Sequence, residues 1–252
     1  MNDDGWPALH HELDQWQAQG LTARLWLRDD DASALTPALE QLISLARRWQ
    51  APVLLAVIPA LAQPALVQRL VNEPLVTPCQ HGYAHINHAP EGEKKCELGA
   101  HRTPADVLAG LAAGRARLAQ LFGARVAPVL VPPWNRIAPG LVPQLPGIGF
   151  AALSTFGPDK GAGVPGLERI NCDLDVIDWH NGRRGVAPAL LNARLLGLLA
   201  SARAAGGAPV GILAHHLVHD AAAWDWLETV LAHTHSHPAV QWQQALQLCK
   251  NL

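Results

Sequence analysis

The chain has 252 residues, 49% of them apolar and 16% charged, with 19 Lys plus Arg against 21 Asp plus Glu. That balance excludes a disordered chain, and without a basic stripe interleaved with aromatics nucleic acid is not an expected partner. The greasiest run, Val53–Ile58, is too short to cross a bilayer, and no basic-then-apolar leader opens the sequence, so no membrane partner is expected either. Cys79, Cys96, Cys172 and Cys249 are scattered with no C-x-x-C pair. This usage fits reduced thiols in a cytoplasmic enzyme.

An opening amphipathic helix is expected over residues 7–19, with Leu9, Leu13 and Trp16 on one side. Ala23–Leu27 reads as a first strand ending at Arg28–Asp29–Asp30–Asp31. Ser33 is placed to cap a helix running to about Gln50. Pro52–Ile58 reads as a second strand, residues 64–71 as a short helix, and Leu75–Gln80 as a third strand delivering His81 at its carboxyl end. A polar loop over 86–102 precedes a helix opened by Pro104 and closed near Gly123. Val126–Val131 is a buried strand halted by Pro132–Pro133, and a Gly/Pro-rich loop spans 156–166. Val176–Ile177 reads as a short strand before Asp178–Trp179–His180. A helix from Pro188 to about Ala205, a strand Val210–Ala214 ending at His215, and a last helix capped by Asp220 complete the chain.

Strand and helix alternate about seven times, with the reactive side chains just past the strand ends. A β/α barrel places its active site there, whereas an open doubly wound sheet gathers residues at one switch point. The expectation is a single-domain distorted (β/α)7 barrel over residues 1–252.

Three adjacent carboxylates after an apolar segment are costly unless a cation or proton shares the site. His81 and His85, four residues apart around Gly82, supply imidazoles that a coiled segment would bring to one face. Two His and one Asp with an open position is the donor set of a catalytic zinc. Each feature also has a plainer reading, as a solvated turn with Asp31 capping the next helix and as a hydrogen-bonded loop histidine pair. His88 is a rival ligand in the same loop, or a surface imidazole.

Arg-Asp-Asp-Asp (28–31), His-Gly-Tyr-Ala-His (81–85), Pro-Pro-Trp-Asn-Arg (132–136), Asp-Trp-His (178–180) and Ile-Leu-Ala-His-His (212–216) resemble, in order, the five motifs of NodB-type polysaccharide deacetylases. The resemblance covers residues 22–220. It implies a distorted seven-stranded β/α barrel that hydrolyses N- or O-acetyl groups of sugars with a divalent metal, Zn2+ or another such as Co2+, Ni2+ or Mn2+. On that resemblance Asp29 is the catalytic base, and Asp30, His81 and His85 hold the metal. The backbone N–H of Trp134 helps hold the oxyanion, His215 is the general acid, and Asp178 orients a catalytic partner. Asn135 and Arg136 stand in the third motif beside the substrate. Two departures stand out: Val131 replaces the arginine that usually opens the third motif, leaving Arg28 or Arg136 to brace the base, and Asp31 stands where glycine follows the aspartate pair.

Nine tryptophans against three Phe and one Tyr invite a sugar-stacking role for Trp134 and Trp179, while Trp16, Trp49, Trp224 and Trp226 suit helix packing. Lys95, Glu97 and Arg102 are candidates for a lid. His216 and His219 either support the acid or are satisfied loop histidines, and His233, His235 and His237 read as an exposed cluster. The expected activity is hydrolysis of an amide, an N-acetyl group on a sugar or similar small molecule. Two alternatives remain: a hydrolase of a cyclic imide, ureide or formamide, and a degenerate barrel that binds sugar or metal without turnover.

Overall fold

A computed structural model describes residues 5–159 and 161–249. Its helices are α1 (Trp6–Ala18), α2 (Pro37–Trp49), α3 (Pro64–Leu70), α4 (Pro104–Phe122), α5 (Pro188–Ala204) and α6 (Ala221–His235). Four longer strands, β1 (Ala23–Ala32), β2 (Val53–Val57), β3 (Val76–His81) and β10 (Val210–Ala214), build one side of a curled parallel sheet. The other side is built from β4 (Val129–Val131), β5 (Ala152–Leu153), β6 (Glu168–Arg169) and β7 (Leu174–Asp175), each two or three residues long. A separate hairpin joins β8 (Ile177–Asp178) to β9 (Arg184–Gly185), and β11 (Val240–Trp242) pairs with the start of β1. The order β6-β5-β4-β3-β2-β1-β10-β7 makes a distorted β/α barrel, as the motif spacing predicted.

Local chemistry accounts for most boundaries. Thr36 rather than Ser33 caps α2, accepting from the Leu39 N–H, because Pro37 is set for the first helical position. Thr103 and Asp220 cap α4 and α6 in the same way. Between β4 and β5 the connection is made of short 3-10 turns rich in Pro and Gly, which cannot sustain an α-helical ladder.

Strand parity sorts the residues into two layers. Leu25, Leu27, Val53 and Leu55 face outward into the helix-covered core, while Trp26, Leu54, Cys79, Val129 and Leu213 face the barrel interior. Gly211 is needed there, since a Cβ would lie 2.5 Å from the Trp26 indole. Trp16 and Trp226 are fully buried between helices, as expected. His233 and His235 do not form a free cluster. The His233 ring stacks on Trp6 at 4.4 Å and His235 lies edge-on to Trp49, so both join helix contacts. Nor do Glu97 and Arg102 form a lid: Glu97 is buried, and Arg102 donates to the Asp106 carbonyl beside the start of α4.

Candidate metal and acid–base site

β1 continues through all three aspartates instead of ending before them, and the same parity sends each carboxylate to a different partner. Asp30 shares the inward face with Arg28 and is paired with it twice, Nε to Oδ1 at 2.9 Å and Nη2 to Oδ2 at 3.0 Å. Asp29 points outward, where its carboxylate accepts from the His216 backbone N–H at 2.8 Å and meets His216 Nδ1 at 2.5 Å. Asp31 breaks the alternation. Its φ of 70° falls where the β1–β2 register shifts, a bulge that swings its carboxylate over the barrel mouth.

There Asp31 Oδ1 lies 3.0 Å from His81 Nε2 and 3.1 Å from His85 Nε2. The three ligand atoms all fall within 4.8 Å of one another, the only such group among the described residues. The carboxylate that meets both imidazoles is Asp31 and not the expected Asp30, whose two oxygens are paired with the Arg28 guanidinium. His81 Nδ1 sits 3.0 Å from the Val131 carbonyl, which can only accept, so Nδ1 must carry the proton. His81 Nε2 then aims a lone pair at a carboxylate oxygen, and only a second proton or a cation between them relieves that clash. A backbone carbonyl behind a metal-binding imidazole is the usual arrangement that fixes its tautomer. The donor set fits a divalent ion.

Burial pulls the His81 pKa down, but the hydrogen bond to Asp31 and the charges of Asp30 and Asp31 outweigh it and raise it. For Asp31 burial pushes upward, yet hydrogen bonding by His81 and His85 holds the carboxyl well below the usual carboxylate range.

Among the described residues, four of the six non-glycine positions with positive φ lie here: Asp31, His85, Trp134 and Asn135. Strain of this kind persists only where the surroundings impose it. For His85 they do so through Glu97, a buried carboxylate that accepts from the Tyr83 and Ala84 N–H groups at 3.1 and 2.8 Å. Gly82 is required between them, since a Cβ would sit 2.0 Å from the Glu97 carboxylate and 2.6 Å from Pro133. For Trp134 and Asn135 the surroundings are Arg28, whose Nη2 donates to Asn135 Oδ1 at 2.6 Å. The Trp134 ring packs tilted on His85 at 4.4 Å. Arg136 turns away and donates to the Lys95 carbonyl, so Asn135 and Arg136 anchor loops. His88 sits apart, its N–H on the Cys96 carbonyl.

Arg28 is fully buried and also donates to Ser154 Oγ and the Thr155 carbonyl, at 2.7 and 3.1 Å. Of the two arginines expected to brace Asp29, neither does so: Arg28 pairs with Asp30, Asp29 is held by His216, and Val131 packs in the barrel interior. Counting the pair as Asp30–Asp31 leaves the second departure in place, because Ala32 and not glycine then follows it.

His215 projects from the end of β10, with Nε2 3.9 Å from Asp30 Oδ2 and an edge-on contact to Trp179 at 4.6 Å. Its backbone N–H donates to His219 Nε2; burial holds the His219 pKa down to about 4, so that ring is neutral and free to accept. Asp178, expected beside the acid, is half-buried and caps a turn by accepting from His180 N, Asn181 N and Asn181 Nδ2. Asp175 is the acid nearer His215. β7 pairs with β10 through Ile212–Leu174 and Leu213–Asp175, which sets the Asp175 carboxylate near His215. The Trp179 indole N–H fixes it at 2.8 Å, and burial pushes its pKa up. The alternating Asp173–Leu174–Asp175 was the available signal: Asp173 accepts from the Gly211 N–H of β10, while Asp175 accepts from the Ile177 N–H and the Trp179 indole.

No family model and no curated protein sequence matches the chain. Solved structures do. A protein assigned as a polysaccharide deacetylase from Mycobacterium smegmatis superposes with a TM-score of 0.67 at 15% identity, covering 91% of this chain and 89% of that one. The fold is that of polysaccharide deacetylases. A peptidoglycan deacetylase from Bacillus subtilis matches at TM-score 0.59 and 15% identity over 90% of each chain. A family 4 acetyl xylan esterase from Clostridium thermocellum, solved with a cobalt ion, matches at 0.58 and 13% over 89% of each.

Proposed function

We propose that the protein is a metal-dependent hydrolase that removes an N-acetyl, or O-acetyl, group from a sugar or small glycan. The observation that carries this is the meeting of Asp31, His81 and His85 on one point, beside a second carboxylate–imidazole pair, Asp30 and His215, that takes no part in it. A pure binding site has no use for the second pair. The fold shared with deacetylases and an esterase supports the same reading. Asp31, His81 and His85 would hold Zn2+, or Co2+, Ni2+ or Mn2+ in its place. Such an ion supplies Lewis acidity that polarises the acyl carbonyl and makes water more acidic.

The chain's own groups do the rest. Asp30, held by Arg28 with Oδ2 toward His215, takes the proton from the attacking water. The backbone N–H of Trp134, turned by its left-handed conformation, donates to the developing oxyanion, a contact of a kind worth about 3 kcal/mol. His215 protonates the departing amine or alcohol, with Asp175 and Trp179 orienting its ring. Trp134 and Trp179 flank the acyl group as walls. The reading takes residues 1–252 as one barrel domain, and four free, buried cysteines support a cytoplasmic setting. Among the described residues no helix is long and apolar enough to cross a membrane.

Metal analysis and acetate release from N-acetylated sugars, on zinc-loaded protein, test the assignment together. Asp31→Ala should lose the metal, whereas Asp30→Asn should retain it and lose on the order of a hundredfold or more in kcat. Loss of metal from Asp30→Asn with full retention by Asp31→Ala would sink it.

A further inference from the structure

The barrel mouth is rimmed with exposed apolar side chains that the hydrolytic chemistry leaves unused. Of the eight exposed large apolar side chains among the described residues, six follow strand carboxyl ends: Leu35, Leu61, Tyr83, Ile86, Phe156 and Leu217. Only Val71, beyond α3, and Leu190, in the first turn of α5, lie elsewhere. Exposed apolar residues scattered singly need no explanation, but these are not scattered. β3, β2, β1 and β10 are consecutive in the sheet, and each sends one or two of them into the loop beyond its carboxyl end. Strands about 4.8 Å apart make that run a continuous arc. The backbone joins its parts, since the Ala60 N–H donates to the Tyr83 carbonyl between the second and third loops.

The arc is continuous with the site in sequence as well. Tyr83 and Ile86 flank His85, Leu217 lies two residues past His215, and Leu35 four past Asp31. Leu61, Ile86 and Leu217 are each about half exposed, at 52, 54 and 51%. Loops 33–36, 58–63 and 215–219 contain no Asp, Glu, Lys or Arg. An anionic lipid surface is met by Lys and Arg beside the apolar residues; none is present in these three loops, and in the loop that carries Tyr83 and Ile86 the basic Lys94, Lys95 and Arg102 are matched by Glu91, Glu93 and Glu97. A long polar glycan would gain little from such a rim.

We propose that the substrate is an amphiphile: an acylated head enters between Trp134 and Trp179, and an uncharged alkyl or polyprenyl-like tail lies across Leu61, Ile86, Leu35 and Leu217. This rests on the deacylation reading and narrows its substrate class. The zinc-loaded protein is compared on the methyl and octyl glycosides of N-acetylglucosamine, below micelle concentration, by acetate release and by titration calorimetry. Burial of several methylenes should favour the octyl glycoside about tenfold or more in both kcat/KM and affinity. In Leu61→Ser/Leu217→Ser, and separately in Ile86→Ser, that ratio should fall toward unity. Equal turnover and equal affinity for the two glycosides overturns the tail site and leaves the deacylation reading standing. A calorimetric preference lost in the variants, without turnover of either glycoside, keeps the tail site and overturns the reading. Chain-length indifference combined with rim-dependent sedimentation on phosphatidylcholine vesicles, or with rim-dependent dimerisation in light scattering, assigns the rim to a membrane or a second copy and overturns the proposal.

Discussion

The two sides of the barrel are built on different principles. Along β3, β2, β1 and β10, strands of five to ten residues alternate with helices, and apolar layers fix the register. From β4 to β9 the strands shrink to two or three residues, and side-chain hydrogen bonds take over. Ser154 Oγ donates to the Ile170 carbonyl, Asn171 accepts from Thr155, and Asp173 holds Gly211. The metal triad and His215 stand on the first side. The second side contributes Trp134, Asn135, Asp175 and Trp179, and Arg28 is the bolt between the two. The comparison teaches that precision in this site depends on one buried cation, so the sharpest way to break it is to remove that cation.

Arg28→Met should carry the largest stability cost. It leaves the Asp30 carboxylate buried and unpaired, a defect worth about 3–5 kcal/mol. Denaturant midpoints check it, and Arg28→Met/Asp30→Asn should recover much of the loss because the stranded charge is gone. A wild-type midpoint in the single variant would mean that the short-stranded side stands without its brace.

Asp29 tests the outward-facing layer. Asp29→Ala removes a carboxylate that clamps both the backbone and ring of His216, at a cost of about 2–3 kcal/mol for charge-assisted hydrogen bonds. Zinc content should stay at wild-type level. Asp29→Asn, which keeps an acceptor for the His216 N–H, should retain most of its kcat, the opposite of what a catalytic base would show.

That contrast explains where the sequence was legible and where it was not. The barrel, its helices and the identity of His81, His85 and His215 follow from apolar runs and from histidines just past strand ends. Arg-Asp-Asp-Asp admits two registers, and a strand buried on both faces gives no polar–apolar alternation to choose between them. The bulge at Asp31 decides, and nothing local announces a positive φ at an aspartate followed by alanine. Asp178 stands out by its place in the fourth motif beside Trp179 and His180, but the strand that pairs with β10 ends three residues earlier, at Asp175. Pairing, not proximity in sequence, determines which acid meets His215.

The loop that delivers His85 gives a smaller effect. Glu97→Ala leaves the Tyr83 and Ala84 N–H groups without their acceptor, so His85 should leave its left-handed conformation more readily. Zinc affinity should fall about 10–100-fold, the range for partners that orient a metal ligand. Competition with a chromophoric chelator measures it, and unchanged affinity would assign Glu97 to stability alone.

The smallest effects separate two nearby acids. The Asp178 carboxylate bonds only within its own turn, so Asp178→Asn should change stability by no more than about 0.5 kcal/mol and leave kcat where it was. Asp175→Asn keeps the side chain's size and an acceptor for the Trp179 indole but removes the charge beside His215. If that charge favours the protonated acid, kcat should fall by about tenfold, and the basic limb of the kcat–pH profile should move to lower pH by about one unit. The sign follows from the removal of an anion near an imidazole, which makes its proton easier to lose. A basic limb that stays put in Asp175→Asn and moves in Asp178→Asn would return the orienting role to the exposed turn, and with it the catalytic alignment to the hairpin instead of the β7–β10 pair.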